Sequence, residues 1–246
     1  MDRVIYVAMS GAKETLLAHA ANANNLANAN TPGFVADLQQ ARSMPVYGDG
    51  MPTRVYALTD RPGLEFQRGA LVHTGRDLDV AMNGKGWFAV QSRDGGEAYT
   101  RRGDLKIDLN GMLTTGNGLP VMGNGGPIAI PPAETLYIAS DGTISIKPVG
   151  QAANELAVID RIKMVNPPLE ELDKGEDGLL RLRSGEEADA DAEVGLATGT
   201  IESSNVNIVD SMVDMIELSR RFELQVKVMS KSEKMEEGST SILKIS

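Results

Sequence analysis

The chain contains no cysteine among its 246 residues, so neither a disulfide frame nor a thiolate site can be built from it. Histidine is nearly as scarce. His19 and His73 are the only two, which leaves little material for zinc or for a Ser-His-Asp triad. Aromatic residues make up 4% of the chain and Trp87 is the single tryptophan, whereas methionine is frequent at 12. That balance suits adaptable helix packing better than a large aromatic core, and it weakens a carbohydrate-binding reading, which needs exposed rings. Positive charge is also lacking. With 24 Lys and Arg against 34 Asp and Glu the net charge is −10, which disfavours nucleic acid as a partner. No apolar run is long enough to span a bilayer, and the opening MDRVIYVAMSGAKETLLAHA lacks a basic start, a compact apolar core and a cleavage site. No Sec-type signal peptide and no membrane insertion are therefore expected. The chain is expected to be cytoplasmic unless a dedicated apparatus exports it unfolded.

Glycine and proline are absent from Thr200 to Glu237, although the whole chain has 26 Gly and 11 Pro. Nothing in that stretch interrupts a helix. Ile208, Met212, Met215, Ser219, Phe222, Val226 and Met229 recur at alternating steps of four and three, the spacing of a coiled-coil seam. Asn207 with Asp210 reads as the cap, and Gly238 as the stop. Glu217 with Arg221, and Glu223 with Lys227, place acid before base at i,i+4. A helix over Ser204–Glu237 would be roughly 50 Å long and needs a partner. The other end of the chain offers one. Ile5, Met9, Ala12, Leu16, His19, Ala23 and Leu26 repeat the spacing with smaller residues. Asn22, Asn24, Asn25 and Asn28 cost this first helix about 0.6 kcal/mol each relative to alanine, so it is not expected to fold unaided.

Asn30-Thr31-Pro32-Gly33 ends the first helix. Residues 35–66, with Pro45, Pro52 and Pro62, read as an extended connector carrying an edge hairpin at Thr53–Leu58. From Gln67 to Gly199 the character changes, with 20 of the 26 glycines falling there. Short alternating runs at 79–82, 87–91, 105–109, 136–139, 143–146, 156–159 and 179–183 read as strands, separated by turn signals such as Asp94-Gly95-Gly96, Asn110-Gly111 and Asp141-Gly142. The acidic stretch 186–193 reads as a solvated loop. The fold class is therefore α+β. A discontinuous helical domain pairs residues 1–34 with 201–246, 35–66 connect, and 67–200 form a mainly antiparallel β domain.

Sites for chemistry are mostly missing. Gly84-Lys85-Gly86-Trp87-Phe88-Ala89 fits a loose dinucleotide loop but runs into a strand, so a β-turn is the reading. No phosphate loop and no nucleophile elbow occur. Asp189, Asp191 and Glu193 alternate as in a calcium loop but lack its glycine and its twelfth-position glutamate. Asp77 and Asp79 could share a strand face as an acid/base pair, though structural hydrogen bonding is the better reading. No catalytic, cofactor-binding or metal site is expected, and no enzyme. A β-domain binding module dimerised by the helices is the weaker alternative.

Asn24-Asn25-Leu26-Ala27-Asn28-Ala29-Asn30-Thr31-Pro32-Gly33-Phe34 resembles the N-terminal signature of bacterial flagellar rod and hook proteins. The centre is similar to that family at Gly69-Ala70-Leu71, Thr74-Gly75, Asp77–Ala81, Gly84–Phe88, Tyr99–Arg101, Gly103 and Gly126–Ile128. So is the end, at Ser204-Asn205-Val206-Asn207, Met212-Val213, Met215-Ile216, Arg221–Glu223 and Lys227. Two positions depart: Trp87 stands where the family usually has phenylalanine, and Val35 where a basic residue is frequent. Within the family, Met1-Asp2, Ile5-Tyr6, Met9 and Ile138–Ser145 are most similar to the proximal-rod members, with the distal-rod paralogue as the alternative. The resemblance implies a structural subunit of the basal-body rod, exported by the flagellar type III apparatus and assembled in the periplasm. Its implied partners are copies of itself and other proximal and distal rod subunits, met through Ile5, Met9, Ala12, Leu16, Ala23, Leu26, Ile208, Met212, Met215, Phe222, Val226 and Met229. The terminal helices are then expected to gain order on assembly.

Overall fold

The computed structural model describes residues 4–38, 41–47, 55–59, 63–64, 66–148 and 156–243. The architecture is α+β and the chain divides into two compact units. One comprises Met1–Ala29, Val35–Phe66 and Val206–Ser246; the other comprises Asn30–Phe34 and Gln67–Asn205. Residues 30–34 and 201–205, read from sequence with the helices, thus group with the β unit, and the expected connector 35–66 groups with the helices.

The helical unit holds α1 (Val4–Ala27) and α2 (Ile208–Leu243). Asn207 caps α2 as its position implies: its side-chain oxygen accepts from the Val209 N–H at 3.0 Å, and its amide donates to Asp210 at 2.7 Å. Arg221 pairs with Glu217 one turn earlier. Gly238 does not end the helix, which runs on to Leu243. A single interior glycine costs about 1 kcal/mol, too little to stop a helix without a left-handed cap residue. The helices are antiparallel, since Gly11 lies against Gln225 and Asn22 against Ser211. Each helix has the other as its partner within the chain, as the matching seams lead one to expect. Val55–Thr59 pairs antiparallel with Ala41–Pro45, the proline falling at the end of the ladder. The first residues of the expected hairpin, Thr53 and Arg54, lie outside the described residues.

Among the described residues of the β unit every strand pairing is antiparallel. A five-stranded sheet runs in the order Met164–Val165, Trp87–Gln91, Glu97–Thr100, Leu180–Leu182, Leu172–Lys174. Trp87, Phe88, Ala89 and Val90 are all buried, as expected of a strand covered on both faces. A three-stranded sheet of Ala133–Ile138, Thr143–Pro148 and Ala157–Arg161 buries Ile144 and Ile146 at alternate positions. These isoleucines join Val80, Phe88, Leu113, Ile128 and Met164 in one core. The expected strand at 105–109 shrinks to Lys106–Ile107, and Leu71–His73, Glu97–Thr100, Leu172–Lys174, Gly195–Thr198 and Thr200–Glu202 are strands that the alternation does not announce.

Tyr99 of the five-stranded sheet is buried, with its hydroxyl accepting from the Ala188 N–H at 2.6 Å. Burial pushes its phenol up from 10.0 to about 12; the Ala188 bond opposes that rise and the Glu97 carboxylate adds to it. The folded state therefore favours the neutral phenol. The associated stability is complete below pH 10.0 and is lost as pH rises through about 12, a fall of about 2–3 kcal/mol. Urea midpoints measured between pH 9 and pH 12 should show this decline, and Tyr99→Phe should remove most of it.

Candidate assembly surface

The helix pair is stitched by small and polar side chains. On α1, Ala12, Thr15 and Asn25 are buried. On α2, Ser211 and Ser232 are buried, with Met215, Leu218, Phe222, Gln225 and Met229 half-buried between them. Those α2 positions are again spaced by four and three, but on a stripe rotated from the one that hydrophobicity picks out. The Thr15 hydroxyl donates to the Gly11 carbonyl at 2.8 Å and, bifurcated, to Gln225 Oε1 at 3.2 Å. The Asn22 amide donates to the Ser211 carbonyl at 2.6 Å.

The residues expected to form the assembly interface divide accordingly. Ala12 is buried, and Ile5, Ala23, Leu26, Met215, Phe222 and Met229 are half-buried. Met9, Leu16, Ile208, Met212 and Val226 remain exposed, Met9 at 53% and Met212 at 51%. Val209, Val213 and Ile216 extend the uncovered apolar ridge of α2, while Tyr6 and Leu17 extend that of α1. His19 is half-buried and Ser219 exposed. Ser211, Leu218, Gln225 and Ser232 were not foreseen. Their only signal is the same four-three spacing on a less apolar stripe.

The signature residues do two jobs. In the helical unit the Asn25 side chain exchanges two hydrogen bonds with the backbone of Asp37, both 2.9 Å, and so holds the returning chain as a strand neighbour would. Asn28 closes the last turn, its backbone N–H and side-chain amide both donating to the Asn24 carbonyl. Leu26 is half-buried beside it and Ala27 exposed. In the β unit Thr31 and Phe34 form a turn around Pro32 and Gly33. Gly33 is buried with φ +65°, its N–H donates to the Glu202 carbonyl at 2.8 Å, and a Cβ there would lie 2.3 Å from the Arg101 carbonyl carbon. Only glycine fits. Phe34 carries the Lys174 ammonium over its ring at 4.2 Å and accepts from the Asn205 N–H through its carbonyl. Asn205 also donates to the Gln67 carbonyl, Ser204 is buried, and Val206 is half-buried at the start of the helical unit.

Beneath Gly33 lies a buried ion pair. Arg101 Nη1 is 3.1 Å from Glu202 Oε1, with the two side chains 8% and 4% exposed. The same oxygen accepts from the Gly69 N–H at 3.2 Å, and the guanidinium sits 4.6 Å above the Trp87 ring. Trp87 is therefore a buried shelf for a cation and presents no ring to a saccharide. The carboxylates considered as an acid/base pair are separated in environment: Asp77 is exposed, whereas Asp79 is buried, accepts from the Thr74 hydroxyl at 2.6 Å and lies 3.5 Å from Arg76. Among the described residues no three His, Cys, Asp or Glu side chains gather as metal ligands, and no helix is long and apolar enough to cross a membrane.

Three family models match the chain: the flagella basal body rod protein over residues 5–34, the flagellar hook protein FlgE/F/G D1 domain over 81–146, and the flagellar basal body rod FlgEFG protein C-terminal over 197–242. The flagellar basal-body rod protein FlgF of Escherichia coli strain K12 is 44% identical, with 94% of each chain covered. FlgF of Salmonella typhimurium is 41% identical over the full length of both. The flagellar basal-body rod protein FlgG of Bacillus subtilis is 32% identical over 96% of this chain and 97% of its own. The chain belongs to the family of flagellar basal-body rod proteins.

Proposed function

We propose that this protein is a non-enzymatic structural subunit of the proximal part of the flagellar rod. It polymerises through its terminal helices with copies of itself and with neighbouring rod subunits, the FlgG-type distal subunits included. The observation that carries this reading is the uncovered apolar ridge: Met9 and Leu16 on α1, with Ile208, Met212, Val213 and Ile216 on α2, stay exposed after the helices have paired with each other. Apolar side chains repeated along one helix face are costly in water and are satisfied when further helices pack on them. A contact using different patches on its two sides does not close on itself, so it propagates as a helical filament. The absence of cysteine suits a periplasmic shaft reached by the type III export apparatus in unfolded form.

The double variant Met212→Glu/Ile216→Glu tests this. Both side chains are more than half exposed, so the stability of the isolated subunit should change by no more than about 0.5 kcal/mol per site. Incorporation into the rod should fail, and with it swimming in soft agar when the variant is the only copy supplied. A variant that stays folded and restores full motility would overturn the assignment of this face.

A further inference from the structure

α2 carries two overlapping stripes that share Met215, Phe222 and Met229. One adds Ser211, Leu218, Gln225 and Ser232 and faces α1; the other adds Ile208, Met212, Ser219 and Val226 and faces outward. At 3.6 residues per turn the two differ by a rotation of roughly 60° about the helix axis. By burial of apolar area alone the second stripe belongs inside, because Ile208, Met212 and Val226 would replace two serines and a glutamine, against the single loss of Leu218 for Ser219. The chain adopts the opposite arrangement. The features that distinguish the observed rotation are the hydrogen bonds of Thr15 to Gln225 and of Asn22 to the Ser211 carbonyl, together with the close approach at Gly11, where a Cβ would lie 2.8 Å from Gln225 Nε2.

We propose that Thr15, Asn22 and Gln225 form a rotational lock, which keeps α2 turned so that its more apolar stripe stays outside the intrachain seam. A polar residue in a helix seam gives up stability to select one register, since every other register takes it away from its partner across the seam. Turning α2 by one stripe would carry Gln225 away from Thr15 and bring Val226 against the Thr15 hydroxyl. The lock is a property of the single chain. Only the use made of the outward stripe rests on the assembly reading.

Because the chain has no cysteine, single introduced thiols report the rotation. Ser211→Cys and Met212→Cys are made separately, in the unaltered chain and in a Thr15→Val/Gln225→Leu background, and their alkylation rates are compared while circular dichroism follows the helices. The Ser211 contact uses its backbone carbonyl, so the substitution leaves it in place. In the unaltered chain the thiol at position 212 should react roughly tenfold faster than that at 211. In the apolar background the ratio should fall towards one or invert with the helical signal retained. An unchanged ratio would overturn the proposal. So would loss of the helical signal, which would mean that these contacts stabilise the pair rather than select its rotation. The measurement reads isolated subunits, so its failure is distinguishable from failure of the assembly reading, which motility tests.

Discussion

Glu202→Ala is expected to destabilise the β unit by about 3–5 kcal/mol, because it leaves the Arg101 guanidinium buried without its counter-charge and strips the Gly69 N–H of its acceptor. For a unit of this size that corresponds to a fall in melting temperature of about 10–15 °C. Trp87 is the only tryptophan and lies under the same guanidinium, so its fluorescence reports the transition. The expectation distinguishes the cost of breaking a buried pair from the worth of keeping it. Replacing both partners by apolar residues of similar size, Arg101→Met/Glu202→Leu, should recover much of the loss, since neither charge then needs desolvation. A single variant that melts within 2 °C of the parent would show the pair to be solvated.

Gly33→Ala is expected to cost about 4 kcal/mol or more, an exceptional value for the addition of one methyl group. Two causes act together. The left-handed φ of +65° strains any residue with a Cβ, by about 1–2 kcal/mol. That Cβ would also lie 2.3–2.4 Å from the Arg101 carbonyl and the Arg102 nitrogen, backbone atoms that cannot step aside. The hydrogen bond to the Glu202 carbonyl would be displaced with them. A urea midpoint followed by Trp87 fluorescence measures the loss. The same geometry separates two truncations. Removing residues 1–29 should spare the β unit, whereas removing 1–34 deletes Gly33 and Phe34 from it.

Much of this was legible in the sequence. The four-three spacing places both long helices, and the alternation at 143–146 finds the strand that buries Ile144 and Ile146. The rotation of the helix pair was not legible, for a physical reason. A periodicity argument selects the most apolar stripe and assigns it to the interior. Here four positions of that stripe, Ile208, Met212, Ser219 and Val226, stay exposed, while the Ser211 carbonyl and the Gln225 side chain are satisfied by partners 189 and 210 residues away. Glu202 was hidden in the same way. It lies in a glycine-free, proline-free run that continues into α2, and the partners that make a buried acid tolerable in the strand Thr200–Glu202, Arg101 and the Gly69 N–H, are distant in sequence. Glu97–Thr100 escaped because it is short, flanked by glycines and half polar, although Tyr99 within it is nearly sealed from solvent.

The pairing of α1 with α2 also dictates an order of events during synthesis. Residues 28–207 lie between the two helices, and at about 5–20 residues per second a ribosome needs roughly 10–40 s to make that interval. Throughout it the first helix has no mate. The helix pair is therefore the last part of the molecule that can take shape, and a polypeptide cut short before Ile208 lacks it altogether.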